Sequence, residues 1–165
     1  LLGPENDPAN VRQSKSIIEA FKNIKLSNAI FISRGDNSGT HKKELKIWDI
    51  ARVTVDKGKY IEVGQGMAAT IRVANEKNGY TLSDRSSYLS LRKTIQLAIL
   101  FEGDKELLNT YSLILVNPEK FKKVNFKNAK LFMDYMLSKE AKDIIQDFGK
   151  EKFNQQLFFY DYEVK

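Results

Sequence analysis

The stretch Phe31-Ile32-Ser33-Arg34-Gly35-Asp36-Asn37-Ser38-Gly39-Thr40-His41-Lys42-Lys43-Glu44-Leu45 decides the fold. It opens in the apolar run Ala29-Ile30-Phe31-Ile32, which reads as a buried strand. It closes where Leu45, Ile47, Trp48 and Ala51 begin to recur at amphipathic helical spacing. Between them lies a loop whose small residues fall where the helix starts. The first backbone N–H groups of a helix lack internal partners and carry the positive end of its dipole. Such an end is a ready anion site. Gly39 lets a ligand approach the backbone, Ser38 and Thr40 add hydroxyl donors, and Arg34 offers a planar fork suited to an oxyanion. Asp36 either braces Arg34 through a salt bridge or accepts a proton from a protonated anion. The plainer alternative is that Asp36 or Ser38 only caps the helix and Arg34 lies on the surface. Arg34-Gly35-Asp36 also spells an integrin-binding tripeptide, a match short enough that chance supplies it often.

Outward from this stretch, short apolar strands alternate with helices, which is an α/β pattern. Leu1-Leu2 reads as the end of a strand, followed by a turn through Gly3-Pro4 and Asp7-Pro8. Ile17, Ile18, Phe21 and Ile24 mark a helix. Strands are expected at 60–63 and 80–82, and helices at 67–76 and from Ser83-Asp84 to Leu91. Asn78-Gly79 is expected to close the 67–76 helix, with the glycine as its stop. The run around Ile95 to Phe101 suits a buried strand or short helix. Residues 111–116 read as a strand, and 128–137 and 139–148 as helices, with Ser138 a cap. The aromatic tail from Leu157 to Tyr162 calls for a packing partner. Leu1-Leu2-Gly3-Pro4-Glu5 is echoed by Leu115-Val116-Asn117-Pro118-Glu119, as expected of two equivalent crossover strands flanking a lobe.

A second segment, Gly64-Gln65-Gly66-Met67-Ala68-Ala69, follows a strand and opens a helix. It fits the dinucleotide pattern G-x-G-x-x-A, and Asp84 falls about 20 residues on, where a ribose acceptor belongs. The context fits poorly, because Asp84-Arg85-Ser86-Ser87 runs into a helix and Asp84 reads as its cap. A second anion-facing helix start, or a plain tight turn, is the better reading.

Composition narrows the chemistry. The chain has 165 residues, the length of one ordinary domain, and its hydrophobic content of 42% is globular. It has no cysteine, which excludes disulfides, Cys-zinc sites, Fe–S clusters and thiol catalysis. His41 is its one histidine, so multi-histidine metal sites are excluded. His41 with Ser38 and Asp36 does not make a triad, because all three are sequence neighbours on one turn. His41 is expected on the helix surface or behind the site. Asp161 and Glu163 sit in the tail and make no glycosidase pair. The net charge of +6 is scattered lysine, without the basic aromatic stripe of a nucleic-acid groove. No apolar run approaches the roughly 20 residues of a membrane span. No catalytic residue, metal site or cofactor is expected.

With these residues in view, the chain resembles the tungstate-binding proteins of tungstate ABC importers. The resemblance rests on the stretch from Phe31 to Leu45, on Val63-Gly64-Gln65-Gly66-Met67-Ala68-Ala69-Thr70, on Ala74-Asn75-Glu76-Lys77 and on Tyr80-Thr81-Leu82-Ser83-Asp84-Arg85. Tyr111-Ser112 and Val116-Asn117-Pro118-Glu119-Lys120 also fit. The spacing Arg34-x-Asp36-x-Ser38-Gly39-Thr40 is similar to the phosphate-binding proteins of phosphate importers as well.

The resemblance implies a class II periplasmic-binding-protein lobe, an α/β fold with a central mixed sheet flanked by helices and a crossover strand at each end. Residues 1–110 would form the second lobe, and 111–165 the return crossover strand and the C-terminal helices. The family's N-terminal stretch, which carries a Thr/Ser-rich loop donating to the anion from the first lobe, would be missing here. The implied function is capture of a tetrahedral oxyanion without chemistry, tungstate first, with molybdate or phosphate as alternatives. Ser33, Arg34, Ser38, Gly39, Thr40, Gln65, Gly66 and Met67 would hold the anion, and Asp36 would brace the arginine. The implied partners are a permease and an ATPase, and the implied location is periplasmic or extracytoplasmic at the membrane. Two competing readings remain: an effector domain of a transcriptional regulator, and a dinucleotide-dependent enzyme.

Overall fold

A computed structural model describes residues 1–54 and 56–160. These divide into two compact units, Leu1–Asn109 and Thr110–Lys165, considered separately below. The tail residues Asp161, Tyr162 and Glu163 lie outside the described residues.

In the first unit the strands are short: β1 (Leu2–Pro4), β2 (Phe31–Ser33), β3 (Tyr60–Glu62) and β4 (Leu97–Ile99). β1 pairs antiparallel with β4, and β2 pairs parallel with β3. Tyr80 and Thr81 join the two pairs. The Tyr80 N–H donates to the Ile30 carbonyl at 2.8 Å, and the Tyr80 carbonyl accepts from Ile32 N–H at 2.8 Å. On the other side Thr81 exchanges bonds of 2.9 and 3.0 Å with Leu2. The order is therefore β3, β2, residues 80–81, β1, β4, and β1 alone runs against its neighbours. The expected strand at 80–82 is reduced to two bridging residues, because each pairs with a different neighbour.

Strand alternation sends successive residues to opposite faces. Phe31 packs on one face with Phe21, Trp48 and Tyr80, and Ile32 on the other with Met67, Ile71 and Leu97. Two helices cover the first face, α1 (Ile17–Leu26) and α2 (Gly39–Ala51). The aromatic rings there interlock, with the Phe21 and Trp48 centroids 4.4 Å apart and those of Phe31 and Trp48 5.1 Å apart. The second face is covered by α3 (Met67–Glu76) and α4 (Arg85–Leu91).

Helix ends follow their side chains. Ser16 accepts the Glu19 N–H and starts α1. α3 closes at Asn78-Gly79 as expected, with the asparagine making the turn. Asn78 takes the left-handed turn at φ +49, and the Gly79 N–H then reaches the Ala74 carbonyl at 2.9 Å. Gly79 is needed for space instead, since a Cβ there would stand 3.1 Å from the Ile30 carbonyl oxygen.

The second unit holds α5 (Phe126–Met136), α6 (Lys139–Asp147) and the short α7 (Lys150–Phe153), which the sequence did not announce. Ser138 caps α6 as expected, accepting from Ala141 N–H at 3.2 Å. The strand expected at 111–116 does not form. Those residues join no ladder among the described residues, so the echo of the Leu1–Glu5 segment is one of composition and not of structure. The tail does find aromatic company, with Phe158 packed 5.8 Å from Phe148 and 6.0 Å from Tyr111. Among the described residues of this unit, Ala141 is the one buried apolar side chain, while Ile114, Leu131, Phe132 and Phe159 are exposed.

Tyr80 ties this framework to the N-terminal turn. Its buried hydroxyl donates to Asp7 Oδ1 and accepts the Ala9 N–H, both at 2.9 Å. Tyr80→Phe leaves the buried Ala9 N–H without its acceptor and removes one of the donors on Asp7, and is expected to lower stability by about 1–3 kcal/mol. Urea denaturation of the variant against the parent chain measures the loss.

Candidate functional site

The parallel pairing of β2 and β3 continues past both strand ends. The Val63 N–H donates to the Ser33 carbonyl at 3.0 Å, and the Gly64 N–H to the Arg34 carbonyl at 2.9 Å. The Gly64-Gln65-Gly66 turn is thereby held beside Arg34. Two helix starts, those of α2 and α3, follow at the same sheet edge. That edge, beyond the carboxyl ends of parallel strands, is where open α/β sheets take ligands.

The loop from Arg34 to Ser38 is bent by two left-handed residues, Gly35 at φ +63 and Asn37 at φ +58. Arg34 Nε donates to Asp36 Oδ2 at 2.7 Å. Asp36 Oδ1 accepts the Ser38 N–H at 3.1 Å. Asp36 is thus turned onto Arg34. Hydrogen bonds from Ser38, with help from Arg34, hold its carboxyl below the usual range. The Arg34 side chain keeps 24% of its surface exposed, and its two Nη groups have no partner among the described residues.

The expected donors do not all survive. Ser38 caps α2, its Oγ accepting from His41 N–H at 3.3 Å, but its own N–H is taken by Asp36. Gly39 and Thr40 keep their backbone N–H groups without partners among the described residues. Ser33 departs further. It is fully buried, and its hydroxyl donates to Glu44 Oε2 at 2.7 Å, because β2 points this side chain beneath α2. At the second helix start, Gly66 is the N-cap and makes no side-chain cap bond. Gln65 is exposed, whereas the Met67 side chain is buried in the core, so Met67 offers its backbone alone.

The third helix start, that of α4, carries its own anion. Asp84 accepts from Ser87 N–H at 2.8 Å, Ser86 Oγ at 2.6 Å and Ser87 Oγ at 2.7 Å. Burial opposes its charge, but these bonds prevail and hold the carboxyl below its ordinary range. A carboxylate so engaged has no role left as a ribose acceptor, and the dinucleotide reading loses its key residue.

Of the two positions expected for His41 the structure takes the buried one: it is 5% exposed and not on the helix surface. Glu44, 2% exposed, went unnoticed. It accepts from Ser33, from Tyr60 O–H at 2.6 Å and from Trp48 Nε1–H at 3.2 Å. Burial raises its carboxyl, opposed by those donors. The signal was present: Glu44, Ile47, Trp48 and Ala51 share one helical stripe, and an acid in an apolar stripe must be paired. Among the described residues no group of three His, Asp or Glu side chains stands ready for a metal.

Gly35 fixes the loop's approach to β3. A Cβ there would lie 2.8 Å from the Glu62 Cβ, at a φ that other residues resist. Gly35→Ala is expected to lower the stability of the chain by about 1–3 kcal/mol, read as a shifted denaturation midpoint.

Comparison with known proteins places this geometry. The tungstate-binding protein TupA of Peptoclostridium acidaminophilum is 41% identical over 160 residues, covering 96% of this chain and 56% of that protein. The structure of tungstate-binding protein TupA from Desulfovibrio alaskensis G20 aligns with a TM-score of 0.76 at 42% identity, covering 89% of this chain and 61% of that one. A structure described as the tungstate ABC transporter from Geobacter sulfurreducens aligns at 0.71 and 39% identity, covering 89% and 62%. The chain thus spans little more than half the length of these relatives. The family described as a PBP superfamily domain matches residues 1–140. With that match over most of its length, and with its mixed sheet and paired helix starts, the chain belongs to the PBP superfamily.

Proposed function

We propose that this chain is part of the solute-binding component of an ABC importer and captures tungstate. One observation carries the choice of ligand. Asp36 is spent on Arg34 and on Ser38, so the sheet edge offers donors and no free carboxylate to take a ligand's proton. The donors are the two Arg34 Nη groups, the Gly39 and Thr40 N–H groups, the Thr40 hydroxyl and the uncapped start of α3 at Gln65, Gly66 and Met67. A fully deprotonated tungstate or molybdate only accepts hydrogen bonds, and such a cage suits it. A protonated phosphate brings an O–H that needs an acceptor, and Asp36 is already engaged. The names of the relatives favour tungstate over molybdate.

Binding requires no bond to be made or broken, so the chain is no enzyme in this reading. Its partners are a permease and an ATPase, and it works outside the cytoplasm. No helix among the described residues is long and apolar enough to cross a membrane. The exposed apolar side chains of the second unit, Ile114, Leu131, Phe132 and Phe159 among them, support completion of the binding protein by another lobe.

Arg34→Ala removes the one cation and its fork. Each charge-assisted bond contributes about 1.5–3 kcal/mol, so tungstate affinity is expected to fall at least roughly a hundredfold in calorimetry. Unchanged affinity would sink the site. Thermal shifts should rise with tungstate or molybdate more than with phosphate, and a phosphate preference would reject the choice of ligand.

A further inference from the structure

The α2 start is capped in an unusual way. At α1, Ser16 accepts the Glu19 N–H, and Glu19 Oε2 reaches back to accept the Lys15 N–H at 2.7 Å. This is a capping box displaced by one residue, with a carboxylate at the third helical position. At α2 the same two bonds recur with a different acceptor. Ser38 accepts the His41 N–H, and His41 Nδ1 reaches back to accept the Asn37 N–H at 3.0 Å. A backbone N–H can only donate, so Nδ1 carries no proton and the neutral ring holds its proton on Nε2. Nε2 is buried without a hydrogen-bond partner, and Glu62 Oε1 stands 3.8 Å away, beyond hydrogen-bond reach. The ring is therefore held by its Nδ1 contact and its packing.

We propose that His41 is a charge-neutral positioning residue for the anion loop, doing at α2 what a carboxylate does at α1. The inference rests on the oxyanion reading of the site. Asn37 sits at φ +58 between Asp36 and Ser38, so fixing its N–H fixes the bend that aims Arg34 and the Gly39 and Thr40 N–H groups. A glutamate at position 41 would make the same cap but place a negative charge one turn from the proposed ligand. It would also face Glu62 on β3 and Glu44 on α2. Imidazole caps without charge, and its unpaired Nε2–H is tolerated for that reason.

The test compares the full-length protein with H41Q, H41E and H41L. Glutamine and glutamate have the same shape and both suit the cap; they differ in charge. Tungstate titration by calorimetry should leave H41Q within about threefold of the parent and H41E at least roughly tenfold weaker. H41L, with no acceptor, should also lose roughly tenfold. Long-range proton–nitrogen NMR should show the Nε2–H tautomer. The Asn37 amide should exchange slowly in the parent and H41Q, and fast in H41L. Equal affinity of H41Q and H41E overturns the charge argument. Slow Asn37 exchange in H41L, or an Nδ1–H tautomer, overturns the cap. A parent protein that ignores tungstate while the tautomer and Asn37 results hold instead rejects the oxyanion reading.

Discussion

Val63 and Gly64 donate to the carbonyls of Ser33 and Arg34, and those two bonds carry the β2–β3 register beyond the strands themselves. Everything proposed for the ligand hangs on that continuation. Each strand is only three residues long, so pairing within the strands alone would leave both following loops unanchored. With the register extended, the start of α3 is fixed against the loop that feeds α2. Two helix N-termini then sit at one edge with their N–H groups directed outward, which is the arrangement an oxyanion needs. The Gly35 approach to Glu62 is the steric side of the same constraint: the loop lies so close to β3 that a Cβ does not fit.

The starts of α2, α3 and α4 divide by charge. α4 begins at Asp84, whose carboxylate takes three bonds and satisfies its own helix end. α3 begins at Gly66 with no side-chain cap, and α2 is capped by neutral groups, Ser38 and His41. At the proposed site an anion would meet uncharged caps at the latter two, with the Asp36 carboxylate beside α2 turned onto Arg34, and a carboxylate cap at the first. Glu44 complicates this only superficially. It is buried beneath the loop, but Ser33, Tyr60 and Trp48 direct three donors at it. Its contribution is to lock the last residue of β2 against α2, immediately before Arg34.

Much of this was legible in the sequence. The strand–loop–helix around Arg34 and the bounds of α3 follow from periodicity, because those segments have clear apolar faces and small residues at their starts. Residue orientation was less legible. Ser33 looked like a ligand donor because it adjoins Arg34, yet strand alternation turns it to the core and Glu44 claims it. Spacing leaves His41 either on the helix surface or behind the site; the reach back to Asn37 is a three-dimensional match that spacing alone does not distinguish from a surface position. Residues 111–116 have the composition of a strand, but a strand requires a neighbour to pair with, and no local pattern names one. The Asn78-Gly79 pair was legible as the close of α3, but not that asparagine makes the left-handed turn while the glycine lies where Ile30 approaches.

Preorganisation would let few charged groups suffice at the proposed site. A free arginine side chain loses much rotamer freedom when it grips a ligand, and that loss subtracts from affinity. Here the Asp36 brace fixes Nε before any ligand arrives, leaving the outer edge of the fork for the anion. The same carboxylate pins the Ser38 N–H, and His41 pins the Asn37 N–H, so the backbone donors that follow are already aimed. An Asp36 pointing toward the ligand would add an acceptor and loosen the arginine together. Its turn onto Arg34 links the two properties physically: the loop becomes rigid and loses its free carboxylate in one step. In the proposed site, selectivity for a deprotonated oxyanion and its grip by Arg34 would therefore have a common origin in one carboxylate orientation.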